Sequence, residues 1–157
     1  MHVMIDPRIT NVSFDGCVLG KNKTSEEECA AGLYVELPLT LLSYSVVKEL
    51  HHPHTPEAIR VVYLSKLQTM KFELTDAEQQ LKKQILSILA GNGKPENMMA
   101  DAMHVFEAQK YGNYFVTLDE GILKKADDIK ELCGLNIIRP LKLKVVLEDW
   151  RKKGENQ

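Results

Sequence analysis

The chain has 157 residues, with 20 basic and 22 acidic side chains and a net charge of −2, so composition offers no broad basic footprint and argues against a protein that coats nucleic acid nonspecifically. No run is Pro-, Gly- or Ser-rich and none reaches the roughly 18 apolar residues of a membrane span. The expectation is one soluble, cytoplasmic domain over residues 1–150 and a disordered tail at 151–157. Cys17, Cys29 and Cys133 are odd in number and lack a C-x-x-C pair, which excludes an evident disulfide framework or thiolate zinc site.

In chain order, the apolar run from His2 to Ile5, ended by Asp6-Pro7, reads as a buried first strand closed by a turn. The stretch from there to about Lys23 has no clear period. Thr24-Ser-Glu-Glu27 and the overlapping Ser25-Glu-Glu-Glu28 match a capping box and predict a helix running toward Tyr34. Leu39, Leu42, Val46 and Leu50 fit one helical face, or a strand through Leu42 followed by a helix capped at Ser43; the pattern admits both. Thr55-Pro56-Glu57 opens a further helix carrying Ile59, Val62, Tyr63 and Leu67.

Thr75-Asp-Ala-Glu78 is another capping box, with Leu81, Ile85, Ile88 and Leu89 on one face and Gly91 as the stop. Pro95-Glu96 starts a helix with Met98, Ala102, Val105 and Phe106 inward, ending before Gly112. Tyr114 to Leu118 is a strand rich in aromatic and β-branched residues. Asp119 caps a helix bearing Ile122, Ala126, Ile129 and Leu132 and closed by Gly134, and Leu135 to Ile138 forms the last strand before Arg139-Pro140. Strands alternating with helices predict an α/β fold, a three-layer α/β/α arrangement whose mostly parallel sheet is covered on both faces.

Ligands of such a sheet gather beyond the carboxyl ends of the strands. Asp6 and Asp119 each follow a predicted strand there, while Asp101 sits at the border of its helix's core face next to Ala102. Singly, a turn residue, a helix cap and a solvated helix acid account for them. Together with Glu49 they form a pattern. Met-Ile-Asp6, Val-Val-Lys-Glu49-Leu, Ala-Asp101-Ala-Met-His-Val and Phe-Val-Thr-Leu-Asp119, followed by Leu-Cys-Gly-Leu-Asn-Ile-Ile-Arg-Pro, resemble the PIN-domain family over nearly the whole chain. The block from Met99 to Asp119, with Gly112 before the strand and Thr117 two positions before the acid, carries the resemblance most specifically.

The resemblance implies a PIN-like fold and a metal-dependent endoribonuclease that hydrolyses RNA phosphodiester bonds, with Asp6, Asp101 and Asp119 as principal ligands and Glu49 as ligand or orienter of water. It also implies kinship with toxins of toxin-antitoxin pairs, hence an antitoxin partner and a homodimer. Oxygen ligands select hard cations, so the cofactor expected is Mg²⁺ or Mn²⁺. Thr117, Lys124 and Lys125 are candidates for holding substrate; Lys142, Lys144 and the run from Arg151 to Lys153 are equally eligible and equally suited to solvated faces.

Several alternatives stand beside these. Glu36 is the rival of Glu49, and Glu120, Asp127 and Asp128 are extra acids with ordinary first-turn or mid-helix roles. Asp101 and His104 share a helical spacing suited to one metal, and His51, His52 and His54 cluster in sequence, yet structural or surface roles are favoured over a zinc site. Where the family usually has Thr or Ser and then Asn after its first acid, this chain has Pro7-Arg8, with Asn11 downstream. That keeps open a degraded fold acting as an RNA- or protein-binding module. A phosphoacceptor receiver domain would want an acidic pair after the first strand, where only Asp6 is offered.

Overall fold

The computed structural model describes residues 4–19, 24–50 and 67–155. The elements are β1 (Val12–Phe14), α1 (Ser25–Glu36), β2 (Thr40–Leu42), α2 (Tyr44–Leu50), β3 (Leu67–Gln68), α3 (Asp76–Ala90), α4 (Met99–Tyr111), β4 (Tyr114–Val116), α5 (Glu120–Leu123), α6 (Ala126–Cys133), β5 (Asn136–Ile138) and α7 (Pro140–Glu155). Five strands pair in the order β3-β2-β1-β4-β5, and every pairing is parallel. The three-layer α/β/α architecture expected from the alternating elements is therefore the one formed.

Strand side chains alternate between faces, and the core divides accordingly. Val12, Phe14, Tyr114, Val116 and Ile138 point to one side, where Tyr34 and Leu33 of α1 and Leu143 and Leu147 of α7 cover them. Phe115 and Ile137 point to the other, against Ile85 and Leu89 of α3, Val105 and Phe106 of α4 and Ile129 of α6. Burial on both faces explains why the strands read as short unbroken apolar runs rather than as alternation with polar residues.

Local signals placed most helices. Thr24 accepts a hydrogen bond from the Glu27 amide at the start of α1, and Thr75 and Glu78 form the full reciprocal capping box of α3. Gly134 ends α6 at φ 79°, a left-handed conformation that glycine adopts without strain. The ambiguous stretch before Glu49 resolves as strand β2 and then helix α2. The first exposed amides of α2 are satisfied from elsewhere: Thr69 Oγ1 accepts from Tyr44 and Glu107 Oε2 from Ser45.

Two expectations are corrected. The first described strand is β1, inside the stretch that showed no period, whereas Met4 and Ile5 belong to no strand. Val12-Ser-Phe14 is too short, and Ser13 too polar, to stand out as an apolar run, yet all three are buried at the sheet's centre. Residues 151–155 are not a disordered tail; they continue α7, where Arg151 pairs with Glu36 of α1. The predicted helix from Thr55 and the histidines at 51, 52 and 54 lie outside the described residues.

The segment from 4 to 11 runs into β1 along the sheet edge where the strands begin. Tyr114 Oη donates to the Ile5 carbonyl, Asn113 Nδ2 to Thr10 Oγ1 at 2.6 Å, and Asn11 Nδ2 to the Tyr111 carbonyl at 2.6 Å. Gly112 is required there: a Cβ on it would sit 2.9 Å from the Asn11 carbonyl carbon and closer still to its oxygen. Gly112→Ala is expected to destabilise the protein by about 1–3 kcal/mol, the range for forcing extra atoms into packed structure. Chemical denaturation checks this, and an unchanged midpoint contradicts it.

Candidate metal centre at the carboxyl edge of the sheet

The strand order reverses at β1: one neighbour, β2, follows it directly, and the other, β4, arrives after the intervening helices. Such a reversal leaves a crevice beyond the strand ends, since the connections on its two sides diverge. Asp15 follows β1 and Asp119 stands two residues beyond Thr117 at the end of β4, so both acids lie at this crevice. Helices α2 and α4 add Glu49, Asp101 and His104. Asp15, Glu49 and His104 each present one ligand atom within 4.8 Å of the others, an arrangement able to hold a metal ion.

Asp15 is the most constrained of the acids. Its amide continues the sheet ladder by donating to the Val116 carbonyl at 2.9 Å, and its Oδ2 accepts from Thr117 Oγ1 at 2.8 Å and from Cys17 Sγ at 3.4 Å. The same Thr117 hydroxyl accepts from the Asp119 amide at 3.1 Å, so one side chain sets both acids. Asp119 Oδ1 in turn caps α5 through the Ile122 amide. Burial raises the Asp15 pKa above its ordinary value, against the opposing Thr117 hydrogen bond.

Asp101 feels the crowd most. Burial first, and then the charges of Asp119 and Asp15, push its carboxyl up to about 6, while nearby His104 only partly offsets them. His104 is buried, at 3% exposure. Its Nδ1 lies 2.6 Å from Ser45 Oγ, and its Nε2 lies 3.2 Å from Glu49 Oε2 without the geometry of a hydrogen bond. Burial alone would depress the imidazole pKa, but the contact with Glu49 and the charges of Asp15, Glu49 and Asp101 raise it overall. The Glu49 carboxyl is lowered by the same contact.

Of the expected site residues, Glu49, Asp101 and Asp119 meet at this crevice and Asp6 does not. Asp6 lies before β1 and is clasped by Arg8, whose Nε donates to Oδ1 at 3.0 Å and whose Nη2 donates to Oδ2 at 2.8 Å. The Arg8 amide adds a bond to Oδ1 at 2.9 Å, so Asp6-Pro7-Arg8 is a self-contained turn. This forked pairing holds the Asp6 carboxyl below its ordinary value. Asp15 occupies the place expected of Asp6.

The weaker candidates sort as follows. Thr117 is fully buried and positions Asp15 instead of facing substrate. The Lys125 ammonium lies against Gly91, at the C-terminal end of α3, where a cation meets the negative end of the helix dipole. Lys124 is exposed. Glu36 and Glu120 pair with Arg151 and Arg139, and Asp127 and Asp128 are exposed on α6. Residue-level reasoning missed Asp15, Ser45 and Glu107. Val12-Ser-Phe14 before an Asp was the available signal for the first, and a glutamate one turn beyond His104 on an inward helix face was the signal for the last.

Comparison of the sequence with protein-family models and with curated proteins yields no match, so the chemistry is inferred from the side chains themselves. Asp101 supplies a direct check. Between its unfolded value of 3.8 and its folded value of about 6 the folded protein binds the extra proton, so stability falls as pH rises through that window and then levels off. In chelator, Asp101→Asn should melt above the wild type at pH 7.5, with the gap closing below pH 5. A gap of equal size at both pH values rules out the electrostatic cause.

Proposed function

We propose that this protein is a metal-dependent nuclease that hydrolyses RNA phosphodiester bonds at the crevice beyond β1 and β4, in the manner of PIN-type enzymes. The observation that carries this is the convergence of Asp15, Glu49, Asp101 and Asp119 from four separate elements onto one edge, where burial first and then the charges of Asp119, Asp15 and Glu49 push the Asp101 carboxyl up to about 6. Like charges held together cost stability in the free protein, and a dication between them offsets that cost. The donor set fits such an ion: oxygen ligands dominate, and Asp15 is held in place by Thr117.

With Asp15 as the acid closing the first strand, the order of acids along the chain keeps the pattern that resembles the PIN family, and Pro7-Arg8 no longer bears on the site. Asp15, Asp101 and Asp119 would hold Mg²⁺ or Mn²⁺, with Glu49 at the exposed mouth. A bound dication would lower the pKa of a water and neutralise charge building on the phosphate. The protein's own part is orientation. Thr117 fixes the Oδ2 of Asp15 and the amide of Asp119 together, and Glu107 anchors the first turn of α2 and so the approach of Glu49. Glu49, with its side chain 57% exposed, is the acid best placed to orient an incoming water.

Two outcomes test this reading. Mn²⁺ or Mg²⁺ should support cleavage of a mixed single-stranded RNA pool, and Asp15→Asn or Asp119→Asn should each lower the rate about 10²–10³-fold, the range for removing one transition-state electrostatic contact. Asp6→Asn should cleave at the wild-type rate. RNA left intact by the metal-loaded wild type defeats the proposal, and RNA retained without cleavage would instead mark a binding module. Separately, either ion should raise the melting temperature of the wild type, with Asp101→Asn losing most of the gain. Equal gains in both proteins count against the shared site.

A further inference from the structure

Among the described residues the acidic cluster contains one nitrogen donor, His104. Its side chain is 4% exposed, and its buried Nε2 lies 3.2 Å from Glu49 Oε2 without forming a well-shaped hydrogen bond to any of the described residues. A ring nitrogen of His104 and oxygens of Asp15 and Glu49 all lie within 4.8 Å of one another, and Nε2 is the nitrogen on the side of Glu49. A buried polar nitrogen left without a hydrogen bond costs stability, yet the surroundings are built around it. Ser45 Oγ stands 2.6 Å from the other ring nitrogen, Nδ1, and Ser45 is itself tethered through its amide to the fully buried Glu107, 3.0 Å away. Two side chains and the first turn of α2 therefore hold one imidazole edge toward the acids.

We propose that His104 Nε2 is a metal ligand, completing with Asp15 and Glu49 a mixed nitrogen and oxygen site that takes Zn²⁺, Co²⁺ or Mn²⁺ in preference to Mg²⁺. The inference rests on reading the carboxylate cluster as a cation site and adds the ion class and the ligating atom. Imidazole suits first-row transition ions, whereas Mg²⁺ keeps oxygen ligands and water. A ring ligating through Nε2 carries its proton on Nδ1 and donates it to an outer partner, which Ser45 Oγ is placed to accept. Three protein ligands leave a position open, the arrangement of a catalytic rather than a structural zinc site. Asp101 and Asp119 lie beside this trio and would hold the open side negative.

The alternative is an ion pair in which His104 serves Glu49 alone, and the two differ in a measurement on the unaltered protein. With histidine side chains labelled by ¹⁵N, titration with Zn²⁺ should shift the His104 Nε2 resonance into the range of metal-bound nitrogen while Nδ1 remains protonated. Titration with Mg²⁺ should leave both resonances in place. Calorimetry with each ion alone should show Ser45→Ala weakening Zn²⁺ about 10–100-fold, as for loss of a hydrogen bond outside the ligand shell, and His104→Gln weakening it at least as much. Mg²⁺ affinity should change little in either variant.

An unshifted Nε2 resonance under saturating Zn²⁺, or equal Zn²⁺ affinity in wild type and a folded His104→Gln variant, overturns the assignment. That result leaves the nuclease reading standing if RNA is still cleaved with Mg²⁺. A shifted Nε2 with RNA untouched by any of the ions supports the assignment and removes the nuclease reading, so the two failures are told apart.

Discussion

The parallel pairing of β1 with β4 is the constraint on which the site depends. Phe14 stands opposite Val116, and the Asp15 amide closes the ladder on the Val116 carbonyl. Once that register is set, Asp15 and Thr117 are brought side by side, the hydroxyl of Thr117 bridges Asp15 and Asp119, and the crevice opens beyond them. Slipping the pairing by one residue would turn every strand side chain to the opposite face. The same slip would bury Ser13 where Phe14 now packs and move the acid out of reach.

Around that pair the fold gathers acids that His104, among the described residues, only partly offsets. The acid at Asp6, by contrast, has a forked guanidinium and a backbone amide of its own, and its pKa is depressed. Asp15 and Asp101 are raised, and the only basic group among the causes of either shift is His104. Burial is the first cause of both raised values, and buried carboxyls with raised pKa values in a crevice are candidates for a functional site rather than members of an ion pair. The contrast between two acids of one chain is a physical reason for assigning function to one and a turn to the other.

Support for the cluster comes from contacts behind it. Glu107 is buried deep in α4 and accepts from the first turn of α2, where its carboxylate also suits the positive end of the helix dipole. Ser45 carries this anchoring to His104, and His104 to Glu49. A helix of seven residues has little stability of its own, so its orientation is set by these contacts and by Val46 and Val47 in the core.

Much of this was legible in the residues. Capping signals at Thr24 and Thr75, the stop at Gly134 and the aromatic run from Tyr114 define elements by local chemistry, and local chemistry is what a linear pattern contains. Asp119 could be singled out because it follows a recognisable strand and Asp101 because it borders a helix's core face, whereas Glu49 was reached only through the resemblance to the PIN family. Asp15 could not be singled out, because three-residue β1 owes its existence to burial between β2 and β4, a long-range cause that leaves only Val12 and Phe14 as a trace. The louder run ending at Ile5 drew attention to the wrong acid, and the guanidinium of Arg8 two positions on was the clue to its pairing. The sequence by itself determined the α/β class and the helix ends that carry a capping or stop signal, at Thr24, Thr75 and Gly134, and it named three of the acids that the fold brings to one crevice. Only the tertiary structure decided which acid joins them, and that His104, Ser45 and Glu107 stand behind them, because those contacts join residues some 60 to 100 positions apart and nothing short of the folded sheet brings them together.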